Sequence, residues 1–266
     1  MKQGKAGVES PVREYAARTD VGRVRNRNED AYLVMPESGL YLVADGMGGH
    51  RRGDVAAGLC TDAVRDWFSR KVGPRSRDLV AGALTALGAR TRPGERELLA
   101  ALEYANRMIF EMSASSMNFR GMGTTVVGAL FEGDTLFVVY SGDSRIYRLR
   151  KGRLEVLSRD HSLLNEYLRL KMIEPGDARS FPHRNVIMKA LGLKEKAEVD
   201  FFRRKVQPGD LYLLCSDGLN DMLEDSLIRG ILNDPDLDLE QRADRLVQRA
   251  LEAGGVDNVT VLLVQT

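Results

Sequence analysis

The sequence predicts an α+β domain whose sheets are covered on the outside by helix pairs. Along the chain the apolar period runs strands, two helices, strands, two helices, strand. One device also occurs twice: in LYLVADGMGGHRRGDVAAG and again in LYLLCSDGLND, an apolar strand stops at an aspartate and helical spacing follows a turn. Asp-Gly alone signals a hairpin, which needs a second strand directly after the turn. Here Val55, Leu59, Ala63, Val64, Trp67 and Phe68 stand at helical spacing instead, so each strand delivers a carboxylate to its own end.

In chain order, residues 1–13 are polar, carry two glycines and a proline, and read as a tail ahead of a domain over 14–266. EYAARTDVG predicts an edge strand. In RVRNRNEDAYLVM, Arg25, Glu29 and Asp30 lie just ahead of a strand over Ala31 to Met35. An arginine fork recognises phosphate bidentately, although taken alone such a cluster is better read as local surface ion pairing. The strand Leu40 to Ala44 ends at Asp45, where Gly46, Gly48 and Gly49 permit close approach to a ligand. Two core-covering helices are expected over Arg51 to Arg70 and Glu95 to Met112, with a polar break at KVGPRSRD and a short helix over Asp78 to Leu87 between them.

From Gly121 the chain reads as a β-meander, with hairpin-like turns at Glu132-Gly133-Asp134, Gly142-Asp143 and Lys151-Gly152. The irregular stretch that follows, RDHSLLNEYLRLKMIEPGDARSFPHRNVIMKALG, is a lid or a surface insertion. Its Arg159, Arg169, Lys171, Arg179 and Arg184 suit an anionic substrate or a solvated face. EVDFFRRKV and DLYLLCSDG return to strands, the second ending at Asp217. Helical patterns over Asp221 to Leu232 and Leu239 to Ala253 lead to Asp257 and the closing strand NVTVLLVQ. DLDLE at Asp236 mimics an Asp-x-Asp phosphatase motif but opens a helix, so it reads as a cap region.

Composition narrows the classes. At 266 residues with 43 % apolar content, one large domain with a real core is expected. A net charge of +1 gives no reason to invoke nucleic acid or an acidic membrane surface. The two cysteines, Cys60 and Cys215, sit in apolar patterns and point to a reducing compartment, the cytoplasm. His50, His161 and His183 have no partners at zinc-like spacing, and no apolar run reaches the roughly 20 residues of a bilayer span.

Asp45, Asp143, Asp217 and Asp257 thus stand at strand ends or beginnings. Gathered at one rim they would raise one another's pKa and destabilise the fold, and two divalent cations would balance their charge. Spacing alone leaves their convergence open.

RNRNEDA, VADGMGG, GMGTT, GDSR, DHS, SDGL and DNVT stand in the order seen in the metal-dependent Ser/Thr protein phosphatases of type 2C. From about Tyr15 to Gln265 the chain resembles that family, its bacterial members most. The resemblance implies a four-layer αββα sandwich, two antiparallel sheets flanked by helix pairs, with a small flap at about 161–190. It implies a centre of two Mn²⁺ or Mg²⁺ ions bridged by Asp45. The Gly46 carbonyl serves the second ion, and Asp217 and Asp257 complete the first site. Asp143 with Asp217 would hold the weaker third metal of bacterial relatives. Glu29 and Asp30 resemble acceptors for metal waters, Asn258 is their neighbour, and Arg25 matches the phosphate-binding arginine. Oxygen-only ligands suit these ions.

Two metals about 3.5 to 4 Å apart lower the pKa of a bridging water, and the hydroxide attacks phosphorus in line. The implied activity is hydrolysis of phosphoserine and phosphothreonine in proteins, opposing a Ser/Thr kinase. The expected partners are phosphorylated proteins, a Ser/Thr kinase or its substrates, with no nucleic acid and no membrane, and a monomer is expected. A catalytically weak scaffold is the rival, but such a chain should have lost ligands that this one keeps. Met47 follows Asp-Gly where animal members carry a histidine, so the leaving-group proton must come from elsewhere; a third-metal water and His50 are the candidates. Lys171 stands where relatives often have glycine, and Phe181-Pro182 where they often have His-Pro.

Overall fold

The computed structural model describes residues 11–48, 52–84, 91–174, 176–177, 181–182 and 186–266. Its strands divide between two antiparallel sheets. One runs β1 (Glu14–Asp20), β11 (Val259–Gln265), β10 (Leu211–Cys215), β7 (Arg145–Arg150), β8 (Arg153–Val156). The other runs β2 (Asp30–Met35), β3 (Leu40–Met47), β5 (Val126–Glu132), β6 (Thr135–Ser141), β9 (Asp200–Lys205), with β4 (Gly123–Thr124) paired to the end of β3.

Helices α1 (Gly53–Phe68), α2 (Pro74–Leu84) and α3 (Pro93–Ser115) lie on the β3 side, and α5 (Asp217–Asn220), α6 (Asp225–Leu232) and α7 (Leu239–Glu252) on the β11 side. Between β8 and β9 stands the short α4 (Leu163–Arg169).

Period-2 alternation assigns each strand residue to a layer. Along β3, Leu40, Leu42 and Ala44 pack against α1 and α3, while Tyr41 and Val43 face the other sheet. Tyr212, Leu214, Leu262 and Val264 meet them from β10 and β11, whose alternate residues Leu213, Cys215, Val261 and Leu263 face α6 and α7. Both faces of the central strands are therefore buried, which is why they read as continuous apolar runs. The four-layer α+β sandwich is as expected.

Three local expectations are corrected. Helix α2 begins at Pro74, inside the polar stretch read as a break, because proline is at home in a first helical turn and Arg77 packs over Trp67 at 4.3 Å. Glu132-Gly133-Asp134 and Lys151-Gly152 are hairpins, but Gly142-Asp143 is a corner carrying the chain from β6 in one sheet to β7 in the other. The packing of the domain also begins slightly before Glu14. Val12 packs between the sheets and the Arg13 amide donates to Gln265 O at 2.9 Å. Residues 1–10 of the expected tail, His50, His183, 85–87 of the helix expected over Asp78 to Leu87, and 175, 178–180 and 183–185 of the expected flap lie outside the described residues.

Asp238 caps α7 in a capping box with Gln241, as DLDLE suggested. Cys60 and Cys215 are free and buried, which pushes both thiols to about 12. Among the described residues no helix is long and apolar enough to cross a membrane.

Candidate active site

Strand register brings the first carboxylates together. β2 and β3 pair Asp30 with Asp45, and the alternation that sends Tyr41 and Val43 between the sheets places Asp45 on the same face at the rim. There Asp30 Oδ2 accepts from Ser216 Oγ at 2.7 Å and Thr260 Oγ1 at 2.6 Å, both from the opposite sheet's side. The rim is thus tied across the sandwich by a buried carboxylate.

The GMGTT and GDSR segments fix the Asp45 backbone. Thr125 N donates to Asp45 O at 2.8 Å, Asp45 N donates to Thr125 Oγ1 at 3.2 Å, and Thr125 Oγ1 shares a hydrogen bond with Ser144 Oγ at 2.7 Å. At Gly46 the backbone passes so close to Gly53 and Glu29 that a Cβ would overlap both carbonyls. Gly142, at φ 106, turns the corner that presents Asp143, where a Cβ would overlap the Thr125 side chain. Its amide donates to His161 Nδ1 at 3.1 Å and its carbonyl accepts from His161 N at 2.8 Å. Beside it Arg145 pairs with Asp160 at 2.6 Å. DHS therefore braces the Asp143 corner.

Asp217 is the first residue of α5. Asp257 accepts from Arg25 Nη2 at 2.6 Å, and the next residue, Asn258, holds the arginine's loop. Asn258 Oδ1 accepts from Glu29 N at 2.8 Å, and its Nδ2 donates to Val21 O at 2.9 Å and Arg27 O at 2.8 Å.

Arg25, Glu29, Asp45, Gly46, Asp217, Asp257 and Asn258 line one cavity of about 870 Å³. Asp30 and Asp143 stand behind it and act through charge. Burial, then the charges of Asp30, Asp217, Asp143 and Asp257, push the Asp45 carboxyl well above its ordinary range. Burial, then Asp143, Asp221 and Asp257, do the same to Asp217. Asp143 rises to about 6 through burial and Asp160. Asp30 rises to about 6 through burial, against the opposing pull of its two hydroxyl donors. Burial and Asp54 raise Glu29.

Among the described residues no three acidic side chains are drawn up around a single point. Asp257 is turned onto Arg25 and Asp30 onto Ser216 and Thr260, so the site is a ring of carboxylates around a cavity. The donor set still fits a hard cation: the buried Oδ1 atoms of Asp30, Asp143 and Asp217 have no hydrogen-bond partner, and all the donors are oxygen.

Three functional features escaped the sequence reading. Asp54, in the first turn of α1, has a buried, unpartnered Oδ1 beside Glu29. Asp221 adds charge behind Asp143 and Asp217. Arg52 lines the cavity from the start of α1. The signal for Asp54 was available, since a helix after the Gly-rich turn brings its first residues back to the strand end.

Two facing antiparallel sheets under helix layers bring carboxylates from both sheets and an arginine to one open cleft. The family model of protein phosphatase 2C matches residues 23–257, and the chain belongs to that family. It is 38 % identical to the serine/threonine phosphatase stp of Listeria monocytogenes serotype 4b, over 93 % of this chain and 94 % of that one. The crystal structure of the Mycobacterium tuberculosis serine/threonine phosphatase PstP/Ppp superposes with a TM-score of 0.79 at 36 % identity, covering 95 % of this chain and 97 % of that one. The catalytic domain of PstP in complex with two manganese ions gives 0.76 at 36 % identity and the same coverage, 95 % and 97 %. This chain is a metal-dependent protein phosphatase of the bacterial type.

Proposed function

We propose that this phosphatase hydrolyses phosphoserine and phosphothreonine in proteins at the carboxylate-ringed cavity, opposing a Ser/Thr kinase in the cytoplasm. The observation that carries the reading is the meeting of Asp45, Asp217 and Asp257 with Arg25 at one cavity, backed by unpartnered carboxylate oxygens. Asp45, the Gly46 carbonyl, Asp217 and Asp257 are the groups that would hold two Mn²⁺ or Mg²⁺ ions, and Asp143 with Asp217 would hold a weaker third. Bound there, the ions would lower the pKa of water and offset developing phosphoryl charge.

The chain's own residues do the rest. Arg25 presents its guanidinium to the cavity and can turn from Asp257 to take two phosphoryl oxygens. Asn258 holds the loop that carries it. Glu29 lines the cavity as an acceptor for water. Asp30 has Oδ2 occupied by two hydroxyls, so its part is to fix Asp45 beside it. Met47 lines the cavity with no proton to give, and His161 is buried against Tyr140, its Nδ1 already accepting. His50 lies outside the described residues.

The test is hydrolysis of a phosphothreonine peptide and an aryl phosphate with Mn²⁺, with EDTA, and in Asp217→Asn. Turnover that needs Mn²⁺ and fails in the variant supports the reading. Turnover indifferent to all three refutes it, and phosphopeptide binding without turnover favours the scaffold.

A further inference from the structure

The phosphatase reading uses one arginine of this cavity, and Arg27 and Arg52 line it as well. Arg25 is neutralised by Asp257 at 2.6 Å. Among the described residues, neither Arg27 nor Arg52 closes an ion pair with a carboxylate, although the Arg27 charge acts on Glu29 two residues on.

Both are held in place by contacts that leave the guanidinium free. On one wall, Asn258 grips the backbone on either side of residue 28, through Arg27 O at 2.8 Å and Glu29 N at 2.8 Å, while the Arg27 side chain stays exposed. On another wall, Arg52 stands before α1 in a left-handed conformation, φ 93, with its guanidinium over the Phe119 ring at 5.3 Å. For a residue with a Cβ that backbone costs about 1 to 2 kcal/mol. The ring contact fixes where the charge sits and uses none of its five N–H donors.

One phosphoryl group does not exhaust these cations. At about 870 Å³ the cavity is as large as those that enclose whole drug-sized ligands, so it has room for residues flanking a phosphothreonine.

We propose that Arg27 and Arg52 form a subsite for a second anionic group on the phosphoprotein, selecting phosphosites flanked by acidic side chains or by another phosphate. The subsite rests on the phosphatase reading and adds the chemical class of its substrate. The two arginines come from separate walls, so each contributes on its own and the effects multiply.

The experiment uses the full chain with Mn²⁺ and compares kcat/KM on matched phosphothreonine peptides with neutral flanks, glutamate flanks, or a second phosphothreonine. The readout is the ratio of acidic to neutral peptide, which cancels any loss common to both. A preference of about tenfold is expected, falling about threefold in each of Arg27→Gln and Arg52→Gln and to near one in the double variant. Arg→Lys at both positions should restore part of it, and about 0.5 M salt should erase it. The glutamate and second-phosphate arms show which anion is the better source. A ratio near one in the unaltered protein, or a preference that survives in the double variant, overturns the subsite. Failure of the neutral peptide and of an aryl phosphate to turn over at all would instead bring down the phosphatase reading beneath it.

Discussion

Asn258 commits its whole amide to one loop, accepting from Glu29 N and donating to Val21 O and Arg27 O, which lie 229 to 237 positions away. It is buried, so Asn258→Ala leaves three backbone groups to find water or nothing. The expected cost is about 1 to 3 kcal/mol in denaturant unfolding. A several-fold rise in KM for phosphopeptide should accompany it, because Arg25 rides on that loop. Asp30 makes the converse case. Its folded pKa of about 6 lies above the ordinary value of 3.8, so the folded state prefers it protonated. The favourable contribution is complete below the unfolded pKa and is lost as pH rises through about 6. In EDTA the chain should therefore unfold more easily at about pH 8 than at about pH 5. Asp30→Asn should flatten that difference by roughly 1.4 kcal/mol, the part of the linkage that falls between those two pH values, and equal slopes for both proteins would exclude the assignment. The sequence showed both residues inside motifs but not these contacts. Side-chain hydrogen bonds between distant positions leave no trace in local period.

At the scale of elements, α4 ends in a Schellman motif: Met172 N donates to Tyr167 O at 2.9 Å and Lys171 N to Leu168 O at 3.0 Å. Lys171 itself takes φ 56 at the position where such motifs favour glycine. The sequence comparison marked Lys171 as a departure from the family, and the backbone gives the physical reason a glycine suits that place. Lys171→Gly should stabilise the helix end by about 1 kcal/mol, read as slower local hydrogen exchange over α4. The β6–β7 corner was misread for a related reason. Gly-Asp between two apolar runs looks the same whether the second strand pairs with the first or leaves for another sheet. What decides here is tertiary: Gly142 bonds in both directions to His161, and Ser144 to Thr125. Gly142→Ala forces a side chain into Thr125, so a loss of a few kcal/mol and a displaced Asp143 are expected, measured by unfolding and by Mn²⁺ affinity. Helix α5 was missed because its four residues are too short to show any period.

For the whole molecule, the sandwich was legible because central strands buried on both faces must be apolar throughout, and α1, α3, α6 and α7 carry one apolar face each. Convergence of the acids was not legible from spacing. It depends on which sheet each strand joins, and β1, β10 and β11 assemble from the two ends of the chain. That assembly has a thermodynamic consequence. Asp45 is pushed up by burial and by Asp30 and Asp217, and Asp217 by burial and by Asp143 and Asp221, so folding must hold like charges at one rim. At about pH 5 protons relieve the repulsion and compete with cations for the same oxygens. Toward higher pH the carboxylates give up those protons, and a divalent cation relieves what protons no longer can. Mn²⁺ at about 100 times its Kd should stabilise the fold by about 2.7 kcal/mol, or about 5 to 10 °C in Tm. The Tm increment should grow from about pH 5 to about pH 8 and shrink sharply in Asp45→Asn. A stabilisation of equal size at both pH values would mean that the ions bind elsewhere, away from the rim where the two sheets bring their carboxylates together.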